Sequence, residues 1–207
     1  MKTTRSLGWL FVAATLVAGA LSASSVGQAA DNRQPAKATF AGGCFWCMEE
    51  VFEELEGVVS ATSGYTGGHK AKPSYEEVSA GGTGHAEAVE VVYDPAKVTY
   101  SKLLEVFWRN IDPTTPDRQF CDWGNQYRSA IFYHDDTQKR LAKESKKVVE
   151  KSKPFREPIV TQIAPLSEFY VAEEYHQNFY KRNSIRYKFY KYNCGRAQRL
   201  EQLWGKS

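Results

Sequence analysis

The residues of this 207-residue chain best placed to do chemistry begin with Cys44 and Cys47, three apart in Gly42-Gly43-Cys44-Phe45-Trp46-Cys47. A short strand-like run, Ala36 to Phe40, precedes the glycines, and Cys47, Val51, Phe52 and Leu55 fall on overlapping turns of an amphipathic helix that follows. Cys44 therefore stands at a helix N-terminus, where free N–H groups and the helix dipole favour an anion. The anion a cysteine supplies is its thiolate, and the position is expected to lower its pKa from about 8.5. A lone free cysteine is ordinarily a small buried core residue. The Gly-Gly before Cys44 and the two large aromatic residues after it favour a reactive role instead. Three chemistries fit Cys-Phe-Trp-Cys: thiol–disulfide exchange, half of a zinc site that needs about four ligands, or a thiol that attacks an oxidised atom and becomes a sulfenic acid.

A second group must reach Cys44 from elsewhere. Ala86 to Tyr93 alternates as a strand, and Glu87 shares a face with Val89, Val91 and Tyr93. A carboxyl group on so apolar a face is desolvated, so its pKa should rise and leave a protonated acid near neutral pH. The plainer alternative is a frayed strand end that meets water or an arginine; Gly81, Gly82 and Gly84 just upstream favour the rim of a site. From Ile111 to Gln126 no period is visible, and Pro113, Pro116 and Gly124 interrupt the stretch. Long loops without structure of their own are often functional, and this one delivers Cys121, Asp122 and, at its exit, Tyr127. Asp122 alone would read as an Asx-turn or cap. Tyr75 lies in the first turn of a short helix that Ser74 and Glu77 bracket as a capping box. Glu173 and His176 form one Glu-x-x-His, too little for a metal bundle, and His176 reads as a hydrogen-bonded structural residue.

The elements that must position these groups run strand–helix–strand–helix–strand–helix–strand–helix–strand, with helices able to cover one side of a sheet. That is an α+β, two-layer α/β sandwich, whose strand order the sequence does not give. Before it, Lys2 and Arg5, an uncharged apolar run over 8–21 and a small-residue stretch ending in Gly27-Gln28-Ala29 read as a secretory signal peptide. The expected division is a leader over 1–29, a lead-in over 30–36 and one catalytic domain over 37–207. Export implies a periplasmic or extracellular location where disulfides persist, with no stable membrane association once the leader is cleaved. Without the leader, 25 basic residues face 24 acidic ones, a net charge of +1 that gives no footprint for nucleic acid.

Gly42-Gly43-Cys44-Phe45-Trp46, Gly84-His85-Ala86-Glu87-Ala88-Val89 and Asp122-x-Gly124-x-Gln126-Tyr127-Arg128-Ser129-Ala130 together resemble the A-type peptide methionine sulfoxide reductases. The resemblance covers roughly Lys37 to Tyr180. It implies a ferredoxin-like plait with a mixed sheet and an irregular C-terminal tail, and stereospecific reduction of methionine-S-sulfoxide, free or in proteins, as protein repair under oxidative stress. It also implies a thioredoxin-like dithiol as electron donor; a monomer without metal or cofactor is the expectation for this chain. Carried over, Cys44 is the nucleophile, Phe45 and Trp46 the pocket for the S-methyl group, Glu87 the acid, and Tyr75, Asp122 and Tyr127 the groups that bind the sulfoxide oxygen or position a water. Many members resolve the sulfenic acid with a tail cysteine, which makes Cys194 the first choice here. Cys47 is the second, because a bond within one helical turn needs distortion, and Cys121 is a third candidate.

Overall fold

A central antiparallel pair, β1 (Ala36–Gly42) and β3 (Ala86–Tyr93), aims both halves of the site. The computed structural model describes Met1 and residues 34–206; the leader expected over 1–29 and most of the lead-in lie outside the described residues. Of the two compact units, the one described is Asn32–Ser207. Its sheet has six strands in the order β7-β6-β1-β3-β2-β8, where β2 is Val58–Thr66, β6 Ser129–Tyr133, β7 Gln162–Pro165 and β8 Tyr170–Val171. The inner four strands are antiparallel, and β7 adds to β6 in parallel, so the sheet is mixed.

Alternation along the central strands sorts their side chains. Phe40, Val89 and Val91 face a helical layer, and Phe40 stacks on Phe52 of α1 (Phe45–Glu53) at 5.0 Å and on Phe107 of α3 (Tyr100–Arg109) at 5.2 Å. Ala41, Ala86, Ala88 and Ala130 face the other way, under Leu166 and Phe169. Glu87 shares the side of Val89 and Val91, beneath the start of α1. The capping box of α2 (Tyr75–Ser79) forms through Ser74 and Glu77, and Thr99 caps α3. In α4 (Asp136–Ser152) only Gln138 and Ala142 are buried, so its charges form a solvated face. Among the described residues no helix is long and apolar enough to cross a membrane.

Three segments differ from expectation. The aperiodic loop contains a hairpin of β4 (Arg118–Gln119) and β5 (Asp122–Trp123), then a 3₁₀ turn at Asn125–Tyr127; strands of two residues leave no period to read. The last strand of the expected order begins only at Gln162, because Val160 upstream donates instead to the carbonyl of Pro113 in that loop (2.8 Å). The tail expected to be irregular forms two further helices after the short α5 (Phe179–Arg182): α6 (Ser184–Asn193) and α7 (Arg196–Trp204), joined at Cys194-Gly195. Its pattern was concealed because Ile185, Phe189 and Tyr192 point to solvent, while α6 is drawn onto α1 by polar links from Tyr187 and Lys191 to Glu50.

The turn from β1 into α1 depends on Gly43. It adopts φ +82, and a Cβ there would lie 2.4 Å from the Cβ of Gln119, a fully buried side chain that brackets Asp112 through two hydrogen bonds. Gly81 has a similar φ of +83 with nothing within 4 Å of the same position. Gly81→Ala should therefore lose only the backbone contribution, about 1 kcal/mol, and Gly43→Ala should lose roughly 2 kcal/mol or more. Denaturant midpoints of the two variants check this; equal losses would mean that the contact with Gln119 carries no weight.

Candidate active site

Cys44 is the N-cap of α1, with non-helical φ −47 and ψ 116, and its carbonyl accepts the N–H of Cys47 at 3.1 Å. Its side chain is 6% exposed. The N–H of Phe45, one of the donors a helix start leaves unpaired, goes to Glu87 Oε2 at 3.1 Å. The strand thus brings a carboxyl group to the helix start beside the Cys44 sulfur. Burial pushes the Glu87 pKa up to about 8; the Phe45 N–H pulls the other way, and Asp122 and Cys47 add to the rise. Glu87 is therefore predominantly neutral at pH 7.

The two thiols are hydrogen-bonded and titrate as a pair, and their surroundings differ. Cys44 is raised well above the ordinary thiol value by burial first, then by its hydrogen bond to Cys47, with Glu87 and Asp122 also against its ionisation. Cys47 is lowered to about 6 because it accepts from the Cys44 thiol, against the effect of burial, with Arg196, Tyr187 and Lys191 assisting. Cys44 faces carboxyl groups, whereas Cys47 faces cations and a phenol from the tail helices. Arg196 is 4% exposed, spends its donors on the Asn110 carbonyl (2.6 Å), the Gly42 carbonyl and Met48 Sδ, and has no carboxylate partner among the described residues.

The aromatic residues divide their work. Phe45 is fully buried against Tyr65 and His176, while Trp46 remains partly exposed. The Trp46 ring stacks on Phe179 at 3.8 Å, and its indole N–H donates to His176 Nδ1 at 3.1 Å. Glu173 accepts from the N–H of Tyr75 and from the hydroxyl of Tyr65, each at 2.8 Å. Glu173 and His176 thus serve as braces for Tyr75 and Trp46, as the hydrogen-bonded reading of His176 supposed.

Tyr127 leaves the 3₁₀ turn within electrostatic reach of Glu87, Tyr75, Asp122 and Cys44; burial first, then these neighbours, raises its pKa and keeps its hydroxyl a donor. Tyr75 is raised by burial and by the same Glu87 and Cys44. Asp122, raised by burial, accepts a 2.5 Å bond from Tyr190 Oη of α6. Cys44, Glu87, Trp46, Tyr75, Asp122 and Tyr127 therefore converge, and Phe45 backs them from the core. Tyr190 and Arg196 were not foreseen, and Glu173 was singled out only as half of a weak metal pattern; each acts through a tertiary contact that no local spacing encodes.

The model of the family described as peptide methionine sulfoxide reductase matches residues 36–207. The peptide methionine sulfoxide reductase MsrA of Bacillus licheniformis is 52% identical over 169 residues, 82% of this chain and 93% of that protein. The chain belongs to the peptide methionine sulfoxide reductase family. Mxr1 from Saccharomyces cerevisiae in reduced form is similar in fold, with TM-score 0.69 and 34% identity over 74% of this chain and 88% of that one. Mxr1 in complex with Trx2 matches with TM-score 0.51 and 26% identity, over 72% and 87%. As a member of the family the protein is an oxidoreductase that reduces methionine sulfoxide and repairs oxidised proteins.

One feature of this reductase departs from the expected tail chemistry. Cys194, the first choice as resolving cysteine, is disulfide-bonded to Cys121, whereas Cys44 and Cys47 are both free. The hairpin places Cys121 where the C-cap of α6 ends, so the two tail-side sulfurs are engaged with each other and Cys47 is the free sulfur beside Cys44. The bond spans 73 residues, a closure worth about 4 kcal/mol in the chain-entropy account.

Thiolate absorbance near 240 nm should rise with a midpoint at about pH 6. In Cys47→Ser, Cys44 loses its acceptor and the rise should move above the ordinary thiol range, while Arg196→Met should shift the wild-type midpoint upward. An unchanged midpoint in Cys47→Ser would put the resting charge on Cys44.

Proposed function

We propose that this enzyme reduces methionine-S-sulfoxide by attack of Cys44 on the sulfoxide sulfur, with Glu87 as the acid. The observation that carries the proposal is the buried, neutral Glu87 carboxyl bonded to the N–H adjacent to Cys44. Its Oε2 accepts that N–H, so Oε1 is the oxygen available to carry a proton. Cys44 passes its thiol proton to Cys47 along their hydrogen bond and attacks as the thiolate. Glu87 protonates the sulfoxide oxygen, which moves to Cys44 as methionine departs and leaves a sulfenic acid. Tyr75 and Tyr127 donate to that oxygen, Asp122 orders the water around it, and the exposed part of Trp46 receives the S-methyl group, with Phe45 behind it.

Cys47 then attacks the Cys44 sulfur; its proton leaves with the sulfenic hydroxyl as water, and a Cys44–Cys47 disulfide forms. Cys47 is favoured over Cys194 because its thiol is free and hydrogen-bonded to that of Cys44. The distortion expected of a one-turn bridge is eased because Cys44 lies outside the helix proper, as its non-helical N-cap. A thioredoxin-like dithiol restores both thiols, a role that the Mxr1–Trx2 complex supports. A general thiol–disulfide exchange enzyme would share the two cysteines but gives Glu87, Tyr75 and Tyr127 no task. The leader composition supports export, and the Cys121–Cys194 bond is of a kind that persists in oxidising compartments. A mature N-terminus at Ala30 in the exported fraction would test this.

With a dithiol present, the S epimer of a methionine sulfoxide peptide should be reduced and the R epimer left. Single-turnover rates should fall below about pH 6, where the thiol pair takes up its second proton, and above about pH 8, where Glu87 ionises. Glu87→Ala should cost roughly 10²–10⁴-fold, and Glu87→Gln should abolish the alkaline limb. Parental rates in Glu87→Ala would remove Glu87 from the reaction.

A further inference from the structure

We propose that the outward face of α6 is a docking surface for the substrate polypeptide, and that it selects methionine sulfoxide in segments with apolar and acidic neighbours. This rests on the preceding reading, in which Cys44 reduces methionine sulfoxide within proteins. Helix α6 has two unlike sides. Tyr187 and Tyr190 turn inward onto the cluster that contains Cys44 and Cys47. Ile185, Phe189 and Tyr192 recur on one outward face and are 87%, 73% and 76% exposed. Single exposed apolar side chains are ordinary. Three in one row beside an active site mark an interaction surface.

Charge gives this face its preference. Over 175–200 the chain carries seven basic residues and no acidic one. Four are held in ion pairs: Lys181 with Glu53, Arg182 with Glu174, Lys191 with Glu50 and Arg199 with Asp112. Arg196 is buried against carbonyl groups. Arg186 and Lys188 remain, both exposed and without a carboxylate partner among the described residues. Helical spacing puts them on opposite flanks of the apolar row. A polypeptide lying there meets apolar contact in the middle and a cation on each side. Acidic side chains complement those cations, and basic ones are repelled.

Two rings connect the face to the site. Trp46 stacks on Phe179 at 3.8 Å, and the Arg186 guanidinium lies 5.9 Å from the centroid of that Phe179 ring. Trp46 also meets Tyr190 edge-on at 5.9 Å. The methyl pocket therefore lies on the flank of α6 that carries Arg186 and Tyr190. A chain leaving that pocket over α6 passes Arg186 before it reaches Ile185 and Phe189. A free amino acid is too small to touch both pocket and row, so only polypeptide substrates gain from the surface.

The test uses the full chain with dithiothreitol as reductant, so that no protein donor competes for the surface. The substrates are N-acetylmethionine-S-sulfoxide and two peptides whose methionine-S-sulfoxide is flanked on both sides by leucine and aspartate or by serine and lysine. Ile185→Ser/Phe189→Ser should raise KM for the acidic peptide about tenfold, with the kinetics of the N-acetyl amino acid unchanged. Arg186→Glu/Lys188→Glu should reverse the order of the two peptides, and added salt should narrow their difference in the wild type. Equal KM values for the two peptides in the wild type, or values that neither double variant moves, would overturn the proposal. Losses seen only with thioredoxin as reductant would make the face a donor site and overturn it as well. Failure of the underlying reading has a different signature: reduction of the N-acetyl amino acid would persist in Cys44→Ser.

Discussion

A single hydrogen bond, from the N–H of Phe45 to the buried carboxyl of Glu87, joins the helical layer to the sheet at the point where chemistry occurs. It fills one of the vacancies of a helix start, fixes the carboxyl next to the Cys44 sulfur and leaves one carboxyl oxygen for the substrate. The surroundings then keep the group neutral. An acid raised from 4.5 to about 8 destabilises the fold as pH rises between those values; at pH 7 the cost is about 3 kcal/mol. Stability tied to Glu87 is thus greatest in acid and lost toward pH 8, a cost consistent with use of the proton.

The thiol pair is organised by burial and by its own hydrogen bond. Burial first, then the hydrogen bond to Cys47, suppresses ionisation of Cys44, while the bond from Cys44, with Arg196, Tyr187 and Lys191 assisting, promotes that of Cys47. Only one proton need move between neighbouring sulfurs to arm the nucleophile, and the sulfur that accepts it is the one placed to close the disulfide. The tail helices are therefore part of the electrostatics of the site as well as a cover for it.

Much of this was legible in the sequence where the signal is local. Alternation placed Glu87 on the apolar side of its strand, the capping box at Ser74 and Glu77 formed, and the glycines before Cys44 marked the turn. What was not legible depends on contacts across the chain. The hairpin bearing Asp122 has strands too short to show a period, and Phe120 holds it at φ +54 under the Arg196 guanidinium. Helix α6 presents Ile185, Phe189 and Tyr192 to solvent and docks through tyrosines whose hydroxyls bond to carboxylates, which leaves no buried apolar stripe to read. The engagement of Cys194 with Cys121 could not follow from spacing, because two cysteines 73 residues apart pair only if the fold brings them together. Local reasoning at Cys44 also named the helix dipole and omitted the burial that opposes ionisation there.

The most direct measurement is the protonation state of Glu87, followed through its carboxylic C=O stretch by infrared titration and assigned by its disappearance in Glu87→Gln. A midpoint near pH 8 is expected. A carboxylate already ionised between pH 4 and 5 would leave Cys44 without its proton donor and contradict the account.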